Sequence, residues 1–366
     1  MSIYIFFITF LIFVGVITEL SQKSLKDILF KICSFFMGCI LIFRYGQGTD
    51  YFTYNYLYNQ IGDANSIQQL FELPIHGEGL WKIINYFFNK LGFSFEIFAM
   101  LISVFCFLSL IYAINKYVEN YKILSLILSY PTVFLVYYMS AIRQGIVLGI
   151  FFSVLLNNFF QKRYFKYILI VIVCSFIHTS ALVLLLLLIV PMLNKRIYNI
   201  IFIISISISL VLILNNGILD TINRSSMQFL ERAVMLIIIY YLYQNSKNTN
   251  YTIKIFYNIY RLGFFVYLVF LSNHLLAARG TVYFKALELF IIPNLLYENN
   301  NLFDKAKIYL LVCMLIMFLT LKGISSFLVD GQYYTDNIFD YHYVSIFNSD
   351  DIHKYRSSNF YFNIID

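Results

Sequence analysis

Long apolar runs alternate with short polar connections along most of the chain. A transmembrane helix needs about 20 apolar residues, whereas a barrel strand is shorter and alternates polar with apolar positions. The pattern therefore predicts an all-α, polytopic integral membrane protein of about eleven or twelve transmembrane helices. The predicted spans lie at residues 3–20, 27–43, 94–114, 122–139, 144–160, 167–193, 197–214, 229–243, 254–272, 281–297 and 305–322.

The composition excludes a water-soluble globule. Of the 366 residues, 60% are hydrophobic and 12% are charged, against about 45–50% and about 25% in soluble domains. No polar stretch is long enough to fold separately in water, so we predict one membrane domain over residues 1–322. That domain includes a long connection with short helices at 44–93, and an acidic, aromatic-rich tail follows at 323–366.

The distribution of basic residues predicts the orientation. Short loops rich in Lys and Arg stay in the cytoplasm, so Lys23, Lys26 and Lys31 place the first loop inside and the N-terminus outside. As one helix, residues 167–193 would put the later basic loops outside. As a helical hairpin that turns near His178, the same run returns them to the cytoplasm. We therefore predict the hairpin, with both termini, the long connection and the tail outside; the tail either packs on the outer surface or is mobile.

Charge and cysteine usage exclude several function classes. The net charge of +7 does not predict a nucleic-acid partner, because the basic residues lie in twos and threes between apolar runs, as membrane topology requires. The sequence shows no Walker loop, dinucleotide fingerprint or zinc-ligand cluster, so we expect no metal and no cofactor. The cysteines lie within apolar runs and are expected to be buried hydrophobes: Cys33, Cys39, Cys106, Cys174 and Cys313.

A tyrosine-rich segment begins the first long connection. If it is helical, Asp50, Tyr54 and Tyr58 share one face at the spacing i, i+4 and i+8. One carboxylate and two phenols on a face suit a sugar, by hydrogen bonding and ring stacking. The alternative is an interfacial belt of aromatic side chains.

Glu78 stands between two glycines, just before a helical-looking stretch at 80–91. A carboxylate at this place is an ordinary N-terminal charge that suits the helix dipole. It is equally compatible with a mobile acid or base on a flexible backbone. Both interpretations stay open from the sequence alone.

Arg143 and Gln144 begin a span that descends from the outer side. Unpaired N–H groups at a helix N-terminus form an anion site, although an Arg at a membrane edge often only snorkels. A cation and the positive end of a helix repel each other, so their proximity favours binding of an anion between them. Arg279 repeats this geometry, and His178 lies at the hairpin turn, where it is either a hydrogen-bonded structural residue or a catalyst.

These motifs, taken in order over residues 44–284, resemble the EpsG family of Wzy-like polymerases of exopolysaccharide, capsule and O-antigen. Gly145 and Gly149 depart mildly from the resemblance, because more alanine is expected after the Arg motif. The stretches that carry the resemblance are Asp50-Tyr51-x-x-Tyr54-x-x-x-Tyr58, Glu78-Gly79, Ile142-Arg143-Gln144, Lys162-Arg163-Tyr164-Phe165-Lys166 followed by Phe176-Ile177-His178-x-Ser180-Ala181, and Arg279-Gly280-x-x-Tyr283-Phe284.

The resemblance implies a polysaccharide polymerase in the bacterial cytoplasmic membrane. Such an enzyme transfers the growing glycan from undecaprenyl diphosphate to a fresh lipid-linked repeat at the outer face, without a cofactor. The implied partners are undecaprenyl-diphosphate-linked oligosaccharide, membrane lipid, and flippase and chain-length regulator proteins.

The chemistry assigns roles to the candidate residues. Arg143 and Arg279 would stabilise the departing diphosphate, and Gln144 is placed with them as a substrate-binding residue. Asp50, Tyr54 and Tyr58 would hold sugar. The attacking hydroxyl needs a base, either His178 or Glu78. We prefer His178, because nearby arginines favour its neutral form and would keep Glu78 ionised, a weak base that positions the acceptor sugar.

Three other functions fit parts of the pattern. A flippase for lipid-linked oligosaccharide would need a cationic cavity reachable from both sides of the membrane. A membrane acyltransferase that modifies polysaccharide would present a histidine to a cytoplasmic acyl donor, whereas the predicted topology places His178 outside. A structural subunit of an export complex would need no convergent polar cluster.

Overall fold

The computed structural model describes residues 2–19, 22–216, 218–246, 249–299 and 301–356, and within these ranges it contains helices and no strand. The predicted all-α class is confirmed. In chain order the helices are α1 (Ile3–Glu19), α2 (Lys23–Ile42), α3 (Tyr51–Gly62), α4 (Ile67–Glu72), α5 (Gly79–Lys90), α6 (Phe95–Tyr117), α7 (Lys122–Ser140), α8 (Ile142–Phe160), α9 (Tyr164–Ser175), α10 (Thr179–Met192), α11 (Lys195–Asn216), α12 (Ile218–Asn245), α13 (Tyr251–Val269), α14 (His274–Lys285), α15 (Glu288–Glu298) and α16 (Leu302–Asp330).

The predicted apolar runs are largely helical, and the chain is a helical membrane protein. The run at 281–297 is interrupted at residues 286–287, between α14 and α15, and α13 ends at Val269, within the run at 254–272. Within the described ranges, four segments are each long and apolar enough to cross a bilayer by themselves: α6, α7, α8 and residues Asp304–Asp330 of α16. Shorter apolar helices accompany them at Ile3–Thr18, Tyr164–Ser175, Thr179–Met192 and Arg196–Leu212. The number and orientation of the spans stay predictions.

The predicted hairpin at 167–193 is confirmed. The helices α9 and α10 are separated by a turn at residues 176–178, and the Tyr167 hydroxyl of α9 donates to the Leu184 carbonyl of α10 at 2.8 Å. The second arm is a 3₁₀-helix, which rises about 2.0 Å per residue. Its 14 residues therefore extend about 28 Å, close to the thickness of a hydrocarbon core.

The boundary between α7 and α8 positions Arg143. From Tyr130 to Ser140 the helix α7 adopts wide π-helical turns, and the Ala141 N–H donates to the Val136 carbonyl at 3.0 Å. Ala141 itself has non-helical dihedrals, φ −84° and ψ 62°. The chain breaks at Ala141 and resumes as α8 at Ile142, so Arg143 lies in the first helical turn, where backbone N–H groups lack helical partners.

The last helix extends to Asp330, beyond the predicted start of the tail at 323. The described part of the tail, residues 331–356, then folds back over the chain at 43–49. The Tyr45 N–H donates to the Val344 carbonyl at 2.8 Å, and the Ile346 N–H donates to the Phe43 carbonyl at 2.9 Å. The sequence left open whether the tail packs on the protein or is mobile. Residues 331–356 are packed, while residues 357–366 lie outside the described residues.

Arg356 fastens the tail. Its guanidinium is 1% exposed and donates to the carbonyls of Gly331 (2.6 Å), Gly46 (2.8 Å), Gly48 (3.0 Å) and Thr49 (3.0 Å). Gly48 has φ +88°, a conformation that L side chains rarely adopt, and an added Cβ would lie 2.6 Å from the Ser140 hydroxyl. The loop before Asp50 is therefore held between α7 and the tail.

Arg44 is a second buried guanidinium, which no pattern in the sequence predicted. It is 3% exposed and donates to the Leu41 carbonyl at 2.6 Å, the Ser103 hydroxyl at 2.6 Å and the Tyr138 carbonyl at 2.9 Å. One side chain thus joins α2, α6 and α7. The acceptors of its hydrogen bonds are two backbone carbonyls and one hydroxyl. None of them is a carboxylate.

We expect Arg356→Lys to release the tail. The ammonium group keeps the charge but lacks the planar fork that reaches several carbonyls at once, and unsatisfied buried groups cost about 1–3 kcal/mol each. Limited proteolysis should cut residues 331–356 faster, and thermal unfolding should occur at a lower temperature. Lys354→Gln is the matched control, since Lys354 is exposed and pairs with Asp351. Equal resistance of the two variants to proteolysis would contradict the role of Arg356 in holding the tail.

Candidate functional site

Side chains from five separate segments meet at one end of the helical bundle. The loop before α3 contributes Asp50, the N-terminus of α5 contributes Glu78, and the first turn of α8 contributes Arg143. The hairpin turn adds His178 and α14 adds Arg279. Direct contacts link α8 to α5 and to α14, as described below. The structure thus brings together the charged residues that the sequence singled out far apart.

Glu78 connects α8 to the hairpin. One oxygen of its carboxylate accepts from Arg143 Nη1 at 2.6 Å, and the other accepts from the Thr179 N–H at 3.1 Å. In return, the N–H groups of Leu80 and Trp81 donate to the Phe176 carbonyl at 2.9 and 3.2 Å. The start of α5 and the hairpin turn therefore satisfy each other's free backbone groups.

Glu78 is an ionised group outside the spanning helices. Burial opposes ionisation, but the Arg143 guanidinium and the Thr179 N–H outweigh it and lower the pKa of the Glu78 carboxyl. Gly77 has φ +144°, which lets the chain turn so that this side chain faces Arg143. Both carboxylate oxygens of Glu78 accept hydrogen bonds. The side chain is therefore held in place, whereas one interpretation of the sequence made it a mobile acid or base.

Arg143 is oriented from two sides. Besides the contact with Glu78, its guanidinium lies 5.9 Å from the centre of the Tyr54 ring. Tyr54 is 6% exposed and contacts Trp81 edge to face, with ring centroids 5.6 Å apart. The Arg143 side chain is 14% exposed. Its charge is therefore fixed before any substrate arrives.

A polar chain connects α8, the hairpin and α14. The Gln144 amide donates to the Ser180 hydroxyl at 3.0 Å and to the Arg279 carbonyl at 2.6 Å. The Ser180 hydroxyl also hydrogen-bonds His178 Nδ1 at 2.7 Å and the Tyr283 hydroxyl at 2.9 Å. The sequence motifs contain Ser180 and Tyr283, but the sequence assigned them no role. In the structure, their hydroxyls link the side chains of this hydrogen-bonded network.

The protonation state of His178 follows from its neighbour. The Ser180 N–H donates to Nδ1 at 3.2 Å, and a backbone N–H can only donate, so the neutral ring carries its hydrogen on Nε2. Burial lowers the pKa of His178 to about 4, with Arg143 and Arg279 acting in the same direction and Glu78 against them. The imidazole is neutral, as expected, but its acceptor nitrogen caps the start of α10.

Arg279 and Asp50 complete the cluster. Arg279 is exposed, and among the described residues no carboxylate lies within ion-pair distance of its guanidinium. Asp50 accepts from the Thr49 hydroxyl at 2.8 Å. Burial raises the pKa of the Asp50 carboxyl, although Thr49, Arg279, Arg143 and other cations oppose the rise.

One predicted site residue does not reach the cluster. Tyr58 lies on the predicted helix with Tyr54, but it is 1% exposed, and its hydroxyl donates to the Phe93 carbonyl at 2.8 Å. Its ring stacks on Phe98 with centroids 5.1 Å apart. Tyr58 supports the packing behind the site, and the geometry gives no support for sugar binding by this residue.

The described residues contain no group of three His, Cys, Asp or Glu side chains that could hold a metal ion. The five cysteines are free thiols, four of them buried. Because the site consists of guanidinium groups, amides, hydroxyls and two carboxylates, its chemistry is hydrogen bonding and charge stabilisation of an anion. The absence of a metal and of a cofactor stays a prediction.

We expect His178 to remain neutral until the pH falls to about 4, with its hydrogen on Nε2. Nitrogen NMR of the ¹⁵N-histidine-labelled protein in detergent measures both properties, and the spectrum of His178→Gln assigns the signal among the five histidines. Titration near the ordinary value of about 6.5, or a hydrogen on Nδ1, would contradict the geometry of the turn.

Comparison with known proteins gives one match. A model of the EpsG family matches residues 27–343, which include every charged residue of the cluster. No curated protein and no solved structure matches the chain. The family match covers far more than half of the sequence and contains both the hairpin and the polar chain that joins it to α8 and α14. The chain therefore belongs to the EpsG family.

Proposed function

We propose that this membrane protein is a polysaccharide polymerase. It transfers a growing glycan from undecaprenyl diphosphate to a new lipid-linked repeat at the outer face of the bacterial cytoplasmic membrane. The observation that carries the proposal is the meeting of Arg143 and Arg279, from two different helices, beside a neutral His178. Membership of the EpsG family supports a role in polysaccharide synthesis in general.

The two arginines suit a diphosphate leaving group. As the glycosidic bond to the lipid diphosphate breaks, negative charge develops on the departing oxygen, and guanidinium groups stabilise it best when they are already in place. Arg143 is held by Glu78 at 2.6 Å, and the first turn of α8 adds unpaired N–H groups. Arg279 has its backbone fixed by Gln144, while its side chain is available to the substrate.

The acceptor hydroxyl must lose a proton, and three groups compete for that role. Glu78 is ionised and paired with Arg143, which makes it a weak base and a positioning residue. His178 has Nδ1 occupied and a hydrogen on Nε2, so its neutral ring offers a donor to a substrate oxygen. Asp50 has a raised pKa, which makes it the better base of the two carboxylates. We assign the proton to Asp50 and the donor role to His178.

The remaining assignments follow from position. Tyr54 lies beside Arg143 and orients the guanidinium, and as a ring that is only 6% exposed it offers little surface to a sugar. The partners are an undecaprenyl-diphosphate-linked oligosaccharide and the surrounding membrane lipid, with flippase and chain-length regulator proteins before and after this step. The charged residues of this site gather at one end of the bundle, where a polymerase that works at one face of the membrane would need them.

The polymerase proposal predicts a distinct defect for Arg143→Lys and Arg279→Lys. Each change keeps the charge and removes the bidentate fork, and loss of one such donor lowers the rate about 100-fold. A deletion strain complemented with either variant should accumulate lipid-linked single repeats on the outer leaflet and little polymer. The glycan ladder on a gel measures this, with Arg163→Lys in an exposed loop as the control.

Repeats trapped on the inner leaflet would indicate a flippase. Normal ladders from both Lys variants at matched protein levels would contradict the bidentate role of the arginines. Ladders of normal length whose sugars lack an acyl group would indicate the acyltransferase.

The base assignment predicts a pH dependence. A general base works when it is ionised, so the wild-type rate should fall as the pH drops through the raised pKa of Asp50, above the ordinary value of about 3.9. Asp50→Asn should lose at least about 100-fold in rate, and His178→Gln should lose less and keep the acidic limb of the profile. If His178→Gln is inactive and Asp50→Asn polymerises normally, the base is His178.

A further inference from the structure

A cavity, here called the chamber, lies deeper in the bundle than the site described above. It has a volume of about 310 Å³ and is lined by side chains from α7, α12, α14 and α16, including Tyr137, Arg232, Lys285 and Lys322. Lys285 follows Arg279 by six residues on α14, which corresponds to about 9 Å along the helix axis. The chamber thus lies toward the middle of the bundle from the site described above.

The charges of the chamber do not cancel. Lys285 is paired with Glu231, the one carboxylate in the lining. Arg232 is 8% exposed, its guanidinium lies 4.2 Å from the centre of the Tyr267 ring, and in the described part of the chain no carboxylate pairs with it. Lys322 likewise has no anionic partner there. Charged residues at membrane depth are costly and mark substrate pathways.

A neighbouring carboxylate does not supply the missing charge. Glu288, one turn beyond Lys285, is buried and accepts a hydrogen bond from the Tyr260 hydroxyl at 2.7 Å. It does not line the chamber. Even if Glu288 is counted as ionised, the cations Arg232, Lys285 and Lys322 outnumber the two carboxylates. The chamber therefore attracts an anion.

The helix α14 contributes to both sites. On α14, Ala278, Val282 and Lys285 line the chamber, whereas Tyr283 faces the Ser180 hydroxyl in the first site. On α7, Tyr137 lines the chamber just before the break that places Arg143 in the first site. The helix α14 is thus a wall between two cationic regions.

Given the proposed function, the reaction itself requires two anion sites. The donor and the acceptor each carry a lipid diphosphate, but the acceptor reacts through the sugar farthest from its own diphosphate. The two headgroups must therefore occupy different places at the same time. We propose that the chamber lined by Arg232, Lys285 and Lys322 binds the diphosphate headgroup of the second lipid, while Arg143 and Arg279 bind the first.

The size of the chamber limits what it holds. Ligand pockets for whole small molecules range from about 300 to 1,000 Å³, so about 310 Å³ accommodates a diphosphate with its first attached groups and no complete oligosaccharide. Guanidinium and ammonium groups match phosphate oxygens by charge-assisted hydrogen bonds. The lining helices also supply apolar side chains, among them Val133, Val136 and Leu319, beside which a prenyl chain can lie.

The test counts bound prenyl diphosphate. Purified full-length protein in nanodiscs is titrated with farnesyl diphosphate, and native mass spectrometry reports how many molecules bind. The wild type should bind two. Lys322→Gln should weaken one of the two sites about tenfold, the loss expected for one charge-assisted hydrogen bond, and Arg232→Lys should do the same. Lys307→Gln, about 22 Å away on α16, is the matched control.

The two sites are separated by the reciprocal variant. The double variant Arg143→Lys, Arg279→Lys should weaken the other site and leave binding in the chamber unchanged. A wild type that binds one farnesyl diphosphate, or two with no effect of Lys322→Gln and Arg232→Lys, overturns the proposal. Melting temperatures matched to the control variant establish that a loss of binding is not a loss of folding.

Two further arms identify the ligand and isolate the proposed function. Inorganic diphosphate should bind the chamber at least tenfold more weakly than farnesyl diphosphate; equal affinity would mean a free anion and overturn the lipid headgroup. Phosphatidylglycerol in the nanodisc should not displace the probe. If a strain that lacks the protein traps lipid-linked repeats on the inner leaflet while Lys322→Gln still loses one bound lipid, the polymerase assignment fails and the chamber stands.

Discussion

The bridge made by Glu78 is the interaction on which the site depends. A half-buried carboxylate loses part of its hydration, which is costly unless its oxygens are paired; here one oxygen accepts from Arg143 and the other from the Thr179 N–H. The same contact closes the N-terminus of α5 against the hairpin turn. Without Glu78, the guanidinium would lose its orientation and the start of α10 its partner. The start of α5, the hairpin and α8 therefore form one unit, although they lie far apart in the sequence.

The sequence predicted this arrangement where charge or periodicity carried the information. The basic residues predicted the hairpin at 167–193, and Arg143 and Gln144 marked the start of α8. Arg44 and Arg356 escaped notice because their partners are mostly backbone carbonyls, which any residue supplies. The ion pair of Glu231 and Lys285 joins two helices 54 residues apart, and no local pattern predicts such a distance. Tyr58 shows a different limit. Periodicity predicts which face of a helix a residue lies on, but it does not predict whether that face is buried.

The position of α14 would keep the two proposed anion sites apart within one bundle. Adjacent residues on a helix are separated by 100°, so Val282 and Tyr283 face different sides. A rigid wall that carries a polar side chain on either face keeps two like charges apart while both stay close to the cations that bind them. In a low-dielectric bundle, repulsion between two diphosphates would otherwise oppose simultaneous binding strongly. Only the helix backbone needs to be fixed for this, and the Gln144 amide fixes it through the Arg279 carbonyl.

The two arginines of the first site differ in a way that suits successive steps of a reaction. Arg143 is enclosed and paired, so its charge requires no reorganisation when negative charge develops on the substrate. Arg279 is exposed and lacks an anionic partner among the described residues, so it loses side-chain freedom only when a ligand arrives, at a cost of about 1–2 kcal/mol. A fixed cation favours the transition state, whereas a mobile one favours capture and release. The proposed polymerase would need both, because each turnover would release one lipid diphosphate before the next one binds.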